Sequence, residues 1–145
     1  RLVIVGRGHL KKRLERLSRK LEIGESVTIE SSLPFDELAL LFRVSDLVVY
    51  PSYYEGQGLI PLEAMASGTP VVTVDHGPLP EMVDDTVGRL FTMGDNDSMS
   101  IAIIEEITDS ERLIEKGVLG RERVMKKYTY ESNALRFSEI YSRIV

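Results

Sequence analysis

The stretch of this chain whose residue types and spacing best suit chemistry is Glu55-Gly56-Gln57-Gly58-Leu59, with Glu63 following eight positions after Glu55. Gly56 and Gly58 carry no side chains, so a ligand can approach the backbone and the free N–H groups can point at it. Such a loop receives an anion. A diphosphate there would face the positive end of the helix beginning at Leu59, worth ~0.3–1 kcal/mol when exposed and up to about 2 when partly buried. The same field would stabilise a diphosphate leaving group as its charge grows. An ionised carboxylate only accepts hydrogen bonds, so Glu55 and Glu63 suit the hydroxyls of sugars, one reading a ribose and the other a hexose. The plain alternative for each is a solvated or capping side chain.

The elements that must position these residues are legible from periodicity. Leu2 to Val5 reads as a strand ended by Gly6-Arg7-Gly8, and Leu10, Leu14, Leu17 and Leu21 recur at helical spacing with their leucines facing inward. Ser26 to Glu30 is a second strand after Gly24, and Phe35 to Val44 a helix introduced by Pro34. Leu47 to Tyr50 is the third strand, closed by Pro51-Ser52. The helix from Leu59 to Ser67 tolerates Pro61 near its first turn and stops at Gly68. Val71 to Val74 is the fourth strand, Glu81 to Asp84 a helical turn and Gly88 to Phe91 a short fifth strand. Helices follow over Met99 to Ile107, Ser110 to Lys126 and Glu131 to Ile144.

Apolar strands alternating with helices predict an α/β fold: a Rossmann-like, doubly wound, mostly parallel sheet covered on both faces. Ligands of such sheets bind outside the carboxyl ends of the strands, so the loops after Val5, Glu30, Tyr50 and Val74 should hold the site.

With 145 residues and 43% hydrophobic content the chain can bury one ordinary core, and residues 1–145 are expected to form one domain. A net charge of -5 argues against a nucleic-acid binder. The absence of cysteine excludes disulfides and Cys-ligated zinc and is compatible with a reducing, cytoplasmic setting. No apolar run approaches the ~18 residues that span a bilayer. Arg7 to Lys20 carries seven basic residues against one acid, Glu15. That basic amphipathic surface is either a solvated face or a contact for anionic lipid headgroups.

Pro51-Ser52, Glu55-Gly56-Gln57-Gly58-Leu59, Glu63-Ala64-Met65-Ala66, Ser67-Gly68-Thr69-Pro70-Val71-Val72 and Glu81 together resemble the C-terminal domain of the retaining GT-B glycosyltransferases called group 1, which are family 4-like. The resemblance runs from the Leu2 strand to the Thr129 to Tyr141 tail. It implies transfer of a hexosyl unit from a nucleoside diphosphate sugar to an acceptor hydroxyl, with retention and without a metal or other cofactor. Glu55, the candidate catalytic residue, would contact the donor hexose, and Glu63 the ribose. The Gly56, Gln57, Gly58 and Leu59 amides would hold the diphosphate. Ser32 and Leu33 would lie near the base, Gly8 near donor phosphate or acceptor, and His76 and Glu81 at the cleft.

The chain also departs from the family pattern. Gln57 stands where an aromatic or other apolar residue is usual, and His9 where proline is usual. The family's domain begins with a further strand, whose loop supplies an Arg and a Lys to the donor phosphates, and its acceptor site lies in an N-terminal domain. Relative to that pattern the chain lacks the first strand and is expected to be a fragment. The acceptor, a glycan, lipid or small molecule, would bind elsewhere in the parent enzyme. The absent strand belongs between the Leu2 and Leu47 strands, so the isolated chain is expected to be marginal, to associate through unpaired strands and to be inactive in transfer.

Other signals have competing readings. Gly6-Arg7-Gly8 with Glu30 begins a dinucleotide fingerprint, but the third glycine position is Lys11. A non-catalytic or dinucleotide-binding module is therefore the alternative function. Glu55 and Glu63 as a hydrolytic carboxylate pair is a rival within enzymes. Asp95-Asn96-Asp97 has a metal-binding spacing but also suits the start of a helix. Arg89 suits either phosphate or a structural ion pair, while His9 and His76 have no ligand partners nearby in sequence.

Overall fold

Among the described residues the apolar runs form five strands, and every strand pairing is parallel. The computed structural model of the chain describes residues 1–144. It contains two compact units, Arg1–Leu38 and a second from Ala39 onward.

In the first unit, β1 (Leu2–Val5) pairs with β2 (Val27–Glu30) from Leu2 opposite Val27 to Val5 opposite Glu30. Between them run α1 (Lys11–Lys20) and a 3-10 turn at Gly24–Ser26, so β2 starts one residue later than the apolar run suggests. The expectation that the α1 leucines face inward needs correction. Leu10, Leu17 and Leu21 are exposed, as are Leu2, Val3 and Val5 on β1. Two four-residue strands and one helix provide too little surface to enclose an apolar face.

In the second unit, the order is β3 (Val48–Tyr50), β4 (Val71–Val74), β5 (Gly88–Phe91), with β4 central and wholly buried. Among the described residues the single predicted sheet is thus two sheets, and β1 and β3 each have a hydrogen-bonded neighbour on one side only. The core gathers Val72, Val74, Leu79, Phe91 and Ala102, with Val49, Tyr50 and Ile103 packed around it. Each fully buried aliphatic or Phe side chain contributes roughly 1.5–3 kcal/mol.

The helices are α2 (Phe35–Val44), α3 (Leu59–Ala66), α4 (Leu79–Met82), α5 (Asn96–Thr108), α6 (Ser110–Lys127) and α7 (Tyr130–Ser142). Two lie earlier than expected. Pro80 fits the first turn of a helix, so α4 begins at Leu79, while the Asp84 carboxylate accepts from Thr86 N at 3.0 Å and makes a turn instead. Asp95 caps α5 by accepting from Asp97 N and Ser98 N at 3.0 Å each, which starts that helix three residues before Met99.

Helix α6 lies against the carboxyl end of α3 through glycines. A Cβ on Gly117 would sit 2.2 Å from the Gly68 carbonyl oxygen, and one on Gly120 would sit 3.3 Å from Met65 Cγ. Arg121 donates to the Ala66 carbonyl, placing a cation at the end of α3. Lys116 and Glu106 form a buried ion pair: Nζ donates at 2.6 and 2.8 Å to the two carboxylate oxygens and at 2.9 Å to the Gly88 carbonyl. Arg89 joins them to Glu105, at 2.9 Å to Glu106 and 2.8 Å to Glu105. Of its two sequence readings, the structural ion pair is the one observed.

Candidate functional site

Tyr50 ends β3, and its carbonyl accepts from the buried Thr73 Oγ1 at 2.9 Å, which fixes the strand end against β4. From this anchor the chain passes through Pro51 to Gly58 before α3 begins. The Tyr50 ring packs beside the core while its hydroxyl reaches out, donating to Glu55 Oε2 at 2.6 Å. Gln57 N donates to Glu55 Oε1 at 3.1 Å. The glutamate carboxylate is therefore held at both oxygens. The Tyr50 hydrogen bond, followed by those of the Gly58, Gln57 and Gly56 amides, holds Glu55 below the usual carboxylate range. Burial and then the neighbouring carboxylate push the Tyr50 phenol up, so it stays a donor.

Gly58 anchors the end of this loop. It occupies the left-handed region at φ 72° and precedes α3, and its backbone rests on α4. A Cβ here would lie 2.9 Å from Met82 Sδ and 3.0 Å from Leu79 Cδ2. Helix α4 is in turn gripped by α6. Arg123 donates to the Met82 carbonyl at 3.0 Å and pairs with Asp84 at 2.9 Å, and Tyr128 donates to the Glu81 carbonyl at 3.0 Å. Burial raises the affinity of Asp84 for its proton, but hydrogen bonds from Thr86 and Arg123 outweigh it and hold the carboxyl low.

The strand-end loops of this unit converge. A Cβ on Gly77, at φ 61°, would lie 3.6 Å from the Glu55 carbonyl oxygen, so the His76-Gly77 turn borders the glutamate. His76 and Glu81 are both exposed, and the backbone carbonyl of Glu81 serves α6. Glu63 lies one turn into α3 and is partly buried. The hydrogen bond from Leu62 N to the Gly58 carbonyl, 3.3 Å, opens the α3 ladder. The N–H groups of Leu59 and Ile60 precede it, and Pro61 has none.

Gly8, Ser32 and Leu33 belong to the first unit. Arg7 Nη2 donates to Ser32 Oγ at 3.0 Å, joining the loops after β1 and β2. Gly8 and Ser32 are exposed and Leu33 partly buried. Sequence reasoning missed four residues here: Tyr50, Arg123, Tyr128 and the Arg7 side chain. The available signal was at Tyr50, an aromatic with a polar tip at a strand end five positions before the glutamate.

Asp95 is engaged in capping α5. Among the described residues no group of three or more His, Asp or Glu is placed to hold a metal, and no helix is long and apolar enough to cross a membrane.

Residues 1–130 match the family model described as glycosyl transferases group 1. The MMP alpha-(1->4)-mannosyltransferase of Mycolicibacterium hassiacum is 36% identical over 134 residues, which is 90% of this chain and 32% of that protein. The C-terminal domain of a glycosyl transferase group 1 family protein (LpcC) from Francisella tularensis superimposes with a TM-score of 0.76 at 29% identity. That match covers 83% of this chain and 63% of the solved domain. A mutant of S. aureus TarM, solved with UDP among its ligands, gives a TM-score of 0.80 at 26% identity, covering 96% of this chain and 28% of TarM's. The chain spans about a third of the length of the curated relatives it matches.

Proposed function

Because the chain belongs to the group 1 glycosyl transferases, we propose that it is the donor-binding part of an enzyme that moves a hexosyl unit from a nucleoside diphosphate sugar to an acceptor hydroxyl. The observation that carries this reading is the Glu55 carboxylate, fixed between a phenol and loop amides directly ahead of a helix N-terminus. Held in its ionised form, Glu55 accepts hydrogen bonds from donor hexose hydroxyls. Glu63 takes the ribose hydroxyls in the same way. The Leu59 amide at the start of α3 faces the diphosphate and stabilises its growing charge as the sugar departs, while the Gly56, Gln57 and Gly58 amides hold Glu55 beside it.

Transfer proceeds with retention, and without a bound metal because the helix terminus supplies the positive field. His76 and Glu81 border the hexose side. The acceptor, a glycan, lipid or small molecule, is recognised outside these residues. The basic face around Lys12, Arg13, Arg16, Arg19 and Lys20, all exposed, favours peripheral contact with an anionic membrane from the cytoplasmic side.

The test is calorimetric titration of the full-length protein with UDP-glucose, GDP-mannose and NAD. Binding of at least one nucleotide sugar, weakened by Glu63→Ala, is expected. Binding of NAD with no nucleotide-sugar binding would refute the proposal in favour of a dinucleotide module.

A further inference from the structure

The carboxylate at the centre of the candidate site does not hold its own orientation. Glu55 follows four irregular residues after β3, and its neighbours Tyr53, Tyr54, Gly56 and Gln57 are all exposed. A side chain on such a loop samples several rotamers unless other groups fix it. Tyr50 is differently placed. Its backbone is paired in β3 opposite Thr73, its carbonyl is held by the buried Thr73 hydroxyl, and its ring packs on the core. The phenol is the rigid partner in its 2.6 Å contact with Glu55 Oε2, and Gln57 N fixes the other oxygen from within the loop.

We propose that Tyr50 is a positioning residue for Glu55: its hydroxyl transmits the rigidity of the β3–β4 pair to the carboxylate and keeps one acceptor direction aimed for a sugar hydroxyl. This rests on the reading that Glu55 contacts the donor sugar. A carboxylate oxygen has two acceptor directions, so one bond from Tyr50 still leaves Oε2 free to accept another. The low affinity of Glu55 for protons, caused first by the Tyr50 hydrogen bond, agrees with this geometry. Tyr50 acts through Glu55 and need not touch the donor.

The test is a double-mutant cycle in the full-length protein, titrated with UDP-glucose and GDP-mannose, with free UDP and GDP as references. Tyr50→Phe keeps the ring in place and removes only the hydroxyl. It should weaken nucleotide-sugar binding about ten- to a hundredfold, the effect of losing one hydrogen bond to a charged group, and leave free nucleotide binding within about twofold. In a Glu55→Gln background, Tyr50→Phe should change binding less than about twofold, because the group it positions has gone. The carboxyl carbon resonance of Glu55, followed by NMR against pH, should titrate at higher pH in Tyr50→Phe.

Three results would overturn the proposal. If Glu55→Gln weakens nucleotide-sugar binding while Tyr50→Phe does not, the reading of Glu55 stands and the role of Tyr50 falls. If Glu55→Gln itself has no effect, the donor-sugar reading falls and the proposal falls with it. Equal losses from Tyr50→Phe in both backgrounds, with an unmoved Glu55 titration, would assign Tyr50 a packing role only.

Discussion

Replacing Lys116 by Met isolates the largest electrostatic commitment in the second unit. The Lys116 and Glu106 side chains are each 3% exposed. The substitution keeps the stem length and removes three hydrogen bonds, two to Glu106 and one to the Gly88 carbonyl. Glu106 then keeps only Arg89, whose side chain is 25% exposed and also engaged with Glu105. Breaking a buried pair by removing one partner costs about 3–5 kcal/mol, and the surviving Arg89 contact places this case near the lower end, about 3. At about 3 °C per kcal/mol for a chain of this size, the melting temperature should fall by roughly 9 °C. Lys116→Met combined with Glu106→Leu removes the stranded charge as well and should recover most of that loss. Urea unfolding followed by far-UV circular dichroism measures all three proteins. A single variant within about 1 kcal/mol of the parent would refute the idea that the pair is desolvated. So would a double variant less stable than the single one.

Three further outcomes follow from close approaches and pKa directions. Gly117→Ala drives a Cβ onto the Gly68 carbonyl and must displace α6, so chemical denaturation should show a loss of about 1–3 kcal/mol or more. Gly58→Ala places a Cβ in a left-handed residue, at about 1–2 kcal/mol, and should weaken nucleotide-sugar binding measured by calorimetry as the loop lifts from Met82. The folded-state pKa of Asp84 is depressed, so its contribution to stability is full above its unfolded value and lost as pH falls through the folded one. The stability difference between the parent and Asp84→Asn should therefore be constant near neutrality and shrink below about pH 4; a difference unchanged at low pH would contradict the Arg123 and Thr86 contacts.

The resemblance to group 1 enzymes and the parallel α/β class were readable because they depend on local runs: Val71 to Val74 is apolar but for Thr73, and Gly56, Gly58 and Gly68 mark the turns ahead of it. Helix starts were less legible. Asp95 and Pro80 decide them through one hydrogen-bonded or one missing N–H group, which a hydrophobic period does not register. The inward-facing assignment of Leu10, Leu17 and Leu21 failed because periodicity reveals which side of a helix is apolar, without revealing whether enough surface exists to cover it. Glu55 and Gly58 are candidates on their types alone, but the groups that hold them are not legible in the same way. Tyr50 offers a local signal five positions before Glu55, whereas Arg123 and Tyr128 act through long-range contacts to backbone carbonyls, and nothing in their own neighbourhoods announces those partners.

Helix α6 meets α3 through Gly117, Gly120 and Arg121, and meets α4 through Arg123 and Tyr128. The two short helices that bracket the Glu55 loop thus share one chassis laid down some sixty residues later in the chain. A random mutagenesis screen for altered donor affinity should accordingly return a second hotspot over residues 117–128. Hits there would act by tilting the frame, and a variant selected at Gln57 would inherit its geometry from a helix it never touches.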